Sequence, residues 1–277
     1  MEQKSLTERI DLDTYLARIG YSGPREATLD ALRAIHALHP ARIAFENLDP
    51  LLGRRIHLDA PSIAAKLVHA RRGGYCFEQN GLLLWVLTTL GFRVTGLAAR
   101  VFIGQVPGRT RRSHMLVKVD LSEGRYIADV GFGGWAMSAP LDLGREGEQQ
   151  TPHGPFRIGR HGGQLFDVQT IIQGEWVTLY RFSLEEQLPM DYEVSNWFCS
   201  THPESKFTKD LMAARLPPGK RLGLLNRRFS IHHAGGRTER RTLGSVEEIA
   251  DVLEQEFAIL LPVPREELLV ALARVPA

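Results

Sequence analysis

The sequence predicts an α+β protein built in three successive parts, and three observations carry that reading. Apolar residues recur with a helical period through roughly the first ninety residues. The period changes to two after Gly91, and the last eighty or so residues mix both patterns. Divisions placed on this change of period alone are 1–91, 92–195 and 196–277, with no internal repeat and no obvious flexible linker.

The first part reads as four helices. Asp13 to Ile19 ends at Gly20, a suitable left-handed stop. Leu29, Leu32, Ile35 and Leu38 recur every three residues, and this helix is expected to stop before Pro40. Asp59-Ala-Pro-Ser-Ile opens a third helix, with Pro61 in its first turn. Phe77 to Leu90 forms a fourth, closed by Gly91. It is apolar nearly all round through Leu82, Leu83, Leu84, Trp85, Val86 and Leu87, so it belongs at the centre of its bundle.

The middle part alternates like strands and reads as a sheet or barrel. Phe92 to Val101 is one strand. His114 to Asp120 and Arg125 to Val130 are two more, joined by Leu-Ser-Glu-Gly. Leu165 to Ile172 and Trp176 to Phe182 flank Gln173-Gly174-Glu175, a hairpin signal. In the last part, Phe229 to His233 and Arg237 to Leu243 flank Ala234-Gly235-Gly236, another hairpin. Ser245-Val-Glu-Glu248 is a capping box, and Pro264 opens a final helix through Leu268, Leu269 and Leu272.

Composition narrows the function classes. A chain of 277 residues suggests two domains, three at most, at about 150 residues each, and can bury a core without disulfide or metal staples. Net charge of +2 and pI near 8.6 are too mild to argue for nucleic acid or an anionic membrane. The two cysteines, Cys76 and Cys199, lie far apart, which excludes a CxxC pair, a cysteine zinc site and a disulfide scaffold. A reducing cytosol fits that usage. The N-terminus lacks the apolar core of a signal peptide, and the longest apolar run, Leu82 to Leu87, is far short of a membrane span.

Arg72-Gly-Gly-Tyr-Cys76-Phe-Glu-Gln-Asn80 is the most informative stretch. Two glycines allow a tight turn, and the cysteine follows on the first turn of the buried helix. Free N–H groups there favour an anion, which would lower the thiol pKa and make a nucleophile. A buried structural cysteine is the alternative. Cys199, in Trp-Phe-Cys-Ser, has no such feature and reads as an ordinary or buried thiol.

A thiolate needs a base and an orienting group. Of ten histidines, His36 and His39 share a helix but no metal pattern surrounds them. His232 and His233 point to opposite faces of one strand. His57, His69, His153, His161 and His202 sit in polar contexts that suit solvated roles. His114 begins an apolar strand whose hairpin partner carries Asp129. With Asp120 facing Arg125 and Leu116 facing Asp129, His114 lies on the Asp129 face, one diagonal away. The carboxylate would then fix the histidine tautomer; a purely structural His–Asp pair is the alternative.

Gly131-Phe-Gly133-Gly134-Trp-Ala136 matches a dinucleotide fingerprint in form only, because Ser138-Ala-Pro140 breaks the helix that must follow. The turn still admits a ligand close to the backbone, such as a phosphate or pantetheine arm. Arg109, Arg111 and Arg112 form one basic group and Arg237, Arg240 and Arg241 another. Either could meet a phosphate, but both read first as solvated faces.

Arg72-Gly-Gly-Tyr-Cys76-Phe-Glu, His114-Met-Leu and Asp129-Val-Gly-Phe-Gly133 together resemble the arylamine N-acetyltransferases. Tyr15 to Tyr21, Ala44-Phe-Glu-Asn-Leu-Asp49 and Asn196-Trp-Phe-Cys-Ser200 with Pro203, Ser205 and Phe207 are similar to further segments of that family. Ala44 departs from the family's usual proline, and the C-terminal third carries few markers. The resemblance implies a helical bundle, a β-barrel and a smaller α/β lid around a cysteine-protease-like catalytic core. It implies acetyl-coenzyme A as donor, with no permanently bound cofactor, and arylamines, arylhydrazines or N-hydroxyarylamines as acceptors.

By motif match the resemblance implies Cys76 as the nucleophile, His114 as the acid/base and Asp129 as the orienter. It places Phe45, Val101 and Phe132 where the family lines its acceptor pocket, and Gly131, Gly133 and Gly134 near where the family admits coenzyme A. The same resemblance leaves room for a macrolactam-forming amide synthase. The Cys–His–Asp order also serves a transglutaminase-like cysteine hydrolase, and a silent ligand-binding protein with a structural Cys76 is the reading outside enzymes. Labelling of Cys76 by an acetyl donor separates that last reading from the others.

Overall fold

The structure, a computed structural model, describes residues 11–105, 108 and 110–276. Arg109 and the first ten residues, considered above, lie outside them.

Helix α1 (Leu12–Ile19) starts on Asp11, whose carboxylate accepts the Thr14 N–H at 3.2 Å, and ends at Gly20 with φ +74°. Helix α2 (Leu29–Arg42) starts on Thr28 and, against the sequence expectation, continues through Pro40. Proline there removes the bond to the His36 carbonyl. The last turn survives because its carbonyls find tertiary donors. The Leu216 N–H meets Pro40, the Arg215 side chain meets Ala41, and the Arg18 side chain meets Arg42. A short strand β1 (Phe45–Glu46) and a single turn α3 (Leu48–Leu51) follow. Helix α4 (Ala60–Ile63) is capped by Asp59 as expected and runs on into a wider, π-type turn over Ala64–His69. Helix α5 (Cys76–Thr89) is the central helix of this part. Leu82, Leu83, Val86 and Leu87 are fully buried against Tyr15, Leu32, Ile35 and Leu67.

Eight antiparallel strands come next: β2 (Arg93–Val101), β3 (Arg112–Leu121), β4 (Gly124–Ala128), β5 (Leu141–Asp142), β6 (Gln149–Thr151), β7 (Gly154–Arg160), β8 (Leu165–Ile172) and β9 (Glu175–Ser183). They form one sheet in the order β5-β4-β3-β2-β9-β8-β7-β6, curled into a nearly closed barrel. Its two edge strands are bridged by one side chain: Gln149 accepts the Asp142 N–H and donates to the Asp142 carbonyl, both at 2.8 Å. The β3–β4 register pairs Asp120 with Arg125 and Val117 with Ala128, as the hairpin reading requires. Val117 and Val119 therefore pack on the helices, while Leu116 joins Leu97, Phe156, Val168 and Leu179 inside the barrel.

Helix α6 (Pro189–Thr201) leads to a second antiparallel sheet of β10 (Met212–Arg215), β11 (Lys220–Leu225), β12 (Arg228–His233) and β13 (Thr238–Thr242). Helices α7 (Val246–Gln255) and α8 (Arg265–Leu272) cover it. The far edge of this sheet is β1, with Phe45 opposite Ala214 and Glu46 opposite Ala213. The strand between α2 and α3 thus stitches the first part of the chain to the last. In α7, Glu248 reaches back past the cap residue to the Gly244 N–H at 2.7 Å while Ser245 accepts the Glu248 N–H.

Candidate active site

The turn before α5 is held from both sides. Gly74 and β1 exchange hydrogen bonds, Glu46 N–H to Gly74 carbonyl and Gly74 N–H to Ala44 carbonyl. A Cβ on Gly73 would meet the Ala44 carbonyl oxygen at 2.1 Å, so only glycine fits. Beneath the turn lies a buried charge cluster. Arg72 donates to Glu46 at 2.9 Å and to Asp49 at 2.8 Å, and Lys66 pairs with Asp49 and Glu78, each at 2.7 Å. Glu78 also accepts the Tyr75 N–H at 3.0 Å, which fixes the residue before Cys76.

Cys76 is the first residue of α5 and 4% exposed, with its sulfhydryl directed at the Ser113 carbonyl, 3.7 Å away. The helix start expected to lower its pKa is present, but burial is the larger influence and pushes the thiol well up. Cys199 and Asp129 add to that, and the backbone amides of Met115 and Phe77 oppose it. The correction has a simple cause: a thiolate formed by losing its proton to water would stand alone in a low-dielectric site.

His114 and Asp129 meet as the register predicted. The His114 Nε2–H donates to Asp129 Oδ2 at 2.7 Å, with both side chains buried. Burial works against ionisation of Asp129, but His114, Asn80 and the Gly131 amide outweigh it and hold the carboxyl below its usual range. Asn80 donates to Asp129 Oδ1 at 2.8 Å and to the Met115 carbonyl at 2.7 Å, while its own oxygen accepts the Val130 N–H. The Gly131 N–H also donates to Oδ1, at 2.9 Å. On the far side, the Asp129 N–H donates to His36 Nε2 at 3.0 Å. His39 is likewise occupied: it donates to Gln79 and accepts from the Tyr15 hydroxyl. Neither histidine lines the cleft, although His36 Nδ1 is buried without a partner.

A single cleft of about 1160 Å³ gathers the residues expected at the site. Cys76, His114, Phe45, Val101, Phe132, Gly131, Gly133 and Gly134 all line it, and Asp129 sits behind His114. The three glycines differ in kind. A Cβ on Gly131 would come within 2.7 Å of Asn80 Nδ2 and 2.9 Å of Cys76 Cα, so this glycine lets the turn close on the cysteine. Gly133 has φ +62°, and Gly134 faces open space. The turn passes into a single 3-10 turn, Gly133–Trp135, and no long helix follows.

Several residues of the site escaped the sequence reading. Asn80 follows Cys76 by one helical turn, a spacing that could have marked it. Tyr180 and Phe132 form a cage with His114, ring centroids 4.7 to 4.9 Å apart. The Tyr180 phenol is held neutral, by burial first and by the Asp129 charge second. His153, expected to be solvated, is half-buried and donates to the Pro217 and Lys220 carbonyls. Phe198 and Phe207 add aromatic walls, with the Arg111 guanidinium 4.4 Å from the Phe198 ring centre.

Comparison with known proteins agrees with this geometry. A family model described as N-acetyltransferase matches residues 28–265. The arylamine N-acetyltransferase of Escherichia coli (strain K12) is 42% identical over 249 residues, 90% of this chain and 88% of that one. The arylamine N-acetyltransferase / N-hydroxyarylamine O-acetyltransferase of Salmonella typhimurium is 38% identical over the same share of each chain. The structure of Mycobacterium marinum arylamine N-acetyltransferase in complex with CoA superposes with a TM-score of 0.92 at 40% identity, covering 96% of this chain and 100% of that one.

Proposed function

This chain belongs to the arylamine N-acetyltransferase family and is an acyltransferase, and from that premise we propose that it acetylates arylamines, arylhydrazines or N-hydroxyarylamines by double displacement through Cys76. Acetyl-coenzyme A is the donor; the CoA complex of the Mycobacterium marinum relative supports it. One observation carries the mechanism. A buried His114–Asp129 pair at 2.7 Å backs onto the cleft in which Cys76 opens a helix.

Because a carboxylate only accepts, Asp129 fixes the His114 proton on Nε2 and leaves Nδ1 basic. The Cys76 proton passes to that nitrogen, so thiolate and imidazolium form together and the pair keeps zero net charge. This answers the cost of burial, which falls on a lone thiolate. The thiolate adds to the thioester carbonyl, and the oxyanion meets the Cys76 backbone N–H at the start of α5. The carbon–sulfur bond to coenzyme A breaks, and the imidazolium gives its proton to the departing thiolate. A weakly basic aryl amine, unprotonated at neutral pH, then attacks acetyl-Cys76. His114 takes the amine proton and returns it to the Cys76 sulfur. Phe45, Val101 and Phe132 favour flat acceptors and keep water from the intermediate.

The test is a two-substrate grid with acetyl-coenzyme A and an aryl amine. Reciprocal-rate plots should be parallel at different donor levels, because the first product leaves before the amine reacts. Intersecting lines would defeat the covalent route.

A further inference from the structure

Arg221, on β11, is a buried cation that no carboxylate balances among the described residues. It is 8% exposed, yet no carboxylate pairs with it. Burial alone acts on it, lowering its pKa to about 10 with no opposing acid. Its guanidinium donates to two neutral acceptors, the Gly134 carbonyl at 3.2 Å and the His153 carbonyl at 2.8 Å. Its flat face lies over Phe156 and Trp135. The other guanidinium N–H groups have no protein partner among the described residues, and Arg221 lines the cleft that holds Cys76.

The contrast with Arg72 and Arg181 is instructive. Each of those is also well covered, and each is matched by carboxylates at 2.6 to 2.9 Å. A buried charge without a counter-ion costs free energy that packing does not return. The surroundings repeat the imbalance. Arg111, Lys206, Arg228, Arg240 and Arg241 line the same cleft, of which Arg241 pairs with Glu248, against Glu204 as the only acid that lines it among the described residues. Beside Arg221, His153 keeps a buried Nδ1 without a partner.

We propose that Arg221 anchors an anionic group of the acyl donor, a phosphate oxygen supplying the counter-charge that the protein withholds. This deepens, and rests on, the reading of the cleft as a coenzyme A site. The guanidinium fork suits phosphate oxygens, and the Gly134 carbonyl ties its position to the turn that reaches Cys76. Donor binding would then be coupled, through one side chain, to the turn carrying Asp129 and Phe132.

The test uses the full chain and two readouts. In thermal unfolding, CoA should raise the Tm of the wild type clearly, pantetheine (no phosphate) hardly at all, and dephospho-CoA should show whether the pyrophosphate or the ribose phosphate is held. Arg221→Met should lose most of the CoA-dependent shift and Arg221→Lys part of it, with no fall in the ligand-free Tm, since a costly charge has been removed. In kinetics, the KM for acetyl-coenzyme A should rise about tenfold or more in Arg221→Met, whereas acetylation of Cys76 by 4-nitrophenyl acetate should be affected far less.

An unchanged CoA shift and KM would overturn the proposal. Equal losses with both donors would also overturn it, by making Arg221 structural. A change confined to acceptors bearing a carboxylate, 4-aminobenzoate but not 4-methoxyaniline, would assign the anion to the acceptor instead. If Arg221→Met does not fold, the wild-type contrast between CoA and pantetheine and the Arg221→Lys variant decide. A wild type that binds CoA through Arg221 yet fails to transfer acetyl would sink the proposed function and leave this inference standing.

Discussion

At the scale of single residues, the site is a set of protons placed by elimination. The Asp129 carboxylate can only accept, so His114 carries its proton on Nε2. Asn80 has its amide hydrogens committed to Asp129 and Met115, so its oxygen faces Val130. The tautomer of His36 follows in the same way from the Asp129 N–H it accepts. Exposure does not distinguish Cys76 from Cys199, since both are 4% exposed; the proposed mechanism distinguishes them by the His114 imidazole. Burial raises both thiols, that of Cys199 to about 12. On the proposed mechanism only Cys76 has an imidazole, that of His114, to take its proton without creating net charge. Alkylation by iodoacetamide should thus occur at Cys76 alone and persist well below the ~8.5 of a free cysteine. In His114→Ala the profile should move above that value, because burial is then unopposed. The readout is alkylation rate against pH, with the site identified by peptide mass. Labelling of Cys199 first, or an unmoved profile in His114→Ala, would remove the ion pair from the mechanism.

At the scale of elements, α5 is the piece on which the site depends, and its start is set by charge rather than by helix propensity. Three acids, Glu46, Asp49 and Glu78, and two bases, Lys66 and Arg72, are buried together under its first turn. Burial holds Glu78 above the usual carboxylate range, with Lys66 opposing. Lys66→Met should cost about 3–5 kcal/mol in urea unfolding, because it strands buried carboxylates. The sign with pH is fixed: Glu78 protonates more readily without Lys66, so the deficit should shrink as pH falls from 7 to 5. A loss below about 1 kcal/mol would mean the cluster is better solvated than its burial suggests.

The motif half of α5 was legible because glycine, cysteine and the apolar run announce themselves locally. The cluster was not, since Lys66 and Asp49 lie far apart in sequence and only the fold brings them together. Other elements failed for equally local reasons. Helix α6 buries Tyr192, Asn196, Cys199 and Ser200 while Met190, Val194 and Trp197 are exposed, so its buried stripe is largely polar and its apolar residues do not mark it. Strand β7 begins Gly154-Pro155, which reads as a turn. Strands β10 and β11 are split by Pro217-Pro218-Gly219 and have small or charged residues where alternation would be sought. Helix α2 overran Pro40 because of Leu216, Arg215 and Arg18, none of which a local reading can supply.

At the scale of the whole molecule, the three stretches of sequence are not three independent bodies. β1 completes the C-terminal sheet and also pairs with the turn before Cys76. Asn47, the next residue, donates to the Phe207 and Asp210 carbonyls and accepts the Met212 N–H. His36 stands between the bundle and the barrel and His39 within the bundle, both fully buried and both neutral. Burial lowers His36 to about 4, with Asp129 opposing. It lowers His39 to about 3, with Gln79 opposing and His36 and Arg18 assisting. A histidine with a depressed folded pKa takes up its proton on unfolding, so its contribution is full above the unfolded value of ~6.5 and is lost as pH falls toward the folded value. Two such groups give a slope of about 2.7 kcal/mol per pH unit between roughly pH 6 and 4. The lowered carboxylates, Asp129 and Asp49, act in the same direction only at lower pH, and Glu78 acts against it. The urea midpoint should therefore fall steeply below pH 6.5, before ordinary carboxylates titrate. His39→Gln should start less stable at pH 7, having lost its bond from Tyr15, but its slope should be shallower by about 1.4 kcal/mol per pH unit. If the wild-type midpoint is flat from pH 7 to 5, or if His39→Gln falls as steeply as the wild type, the buried histidines are not what sets the acid stability.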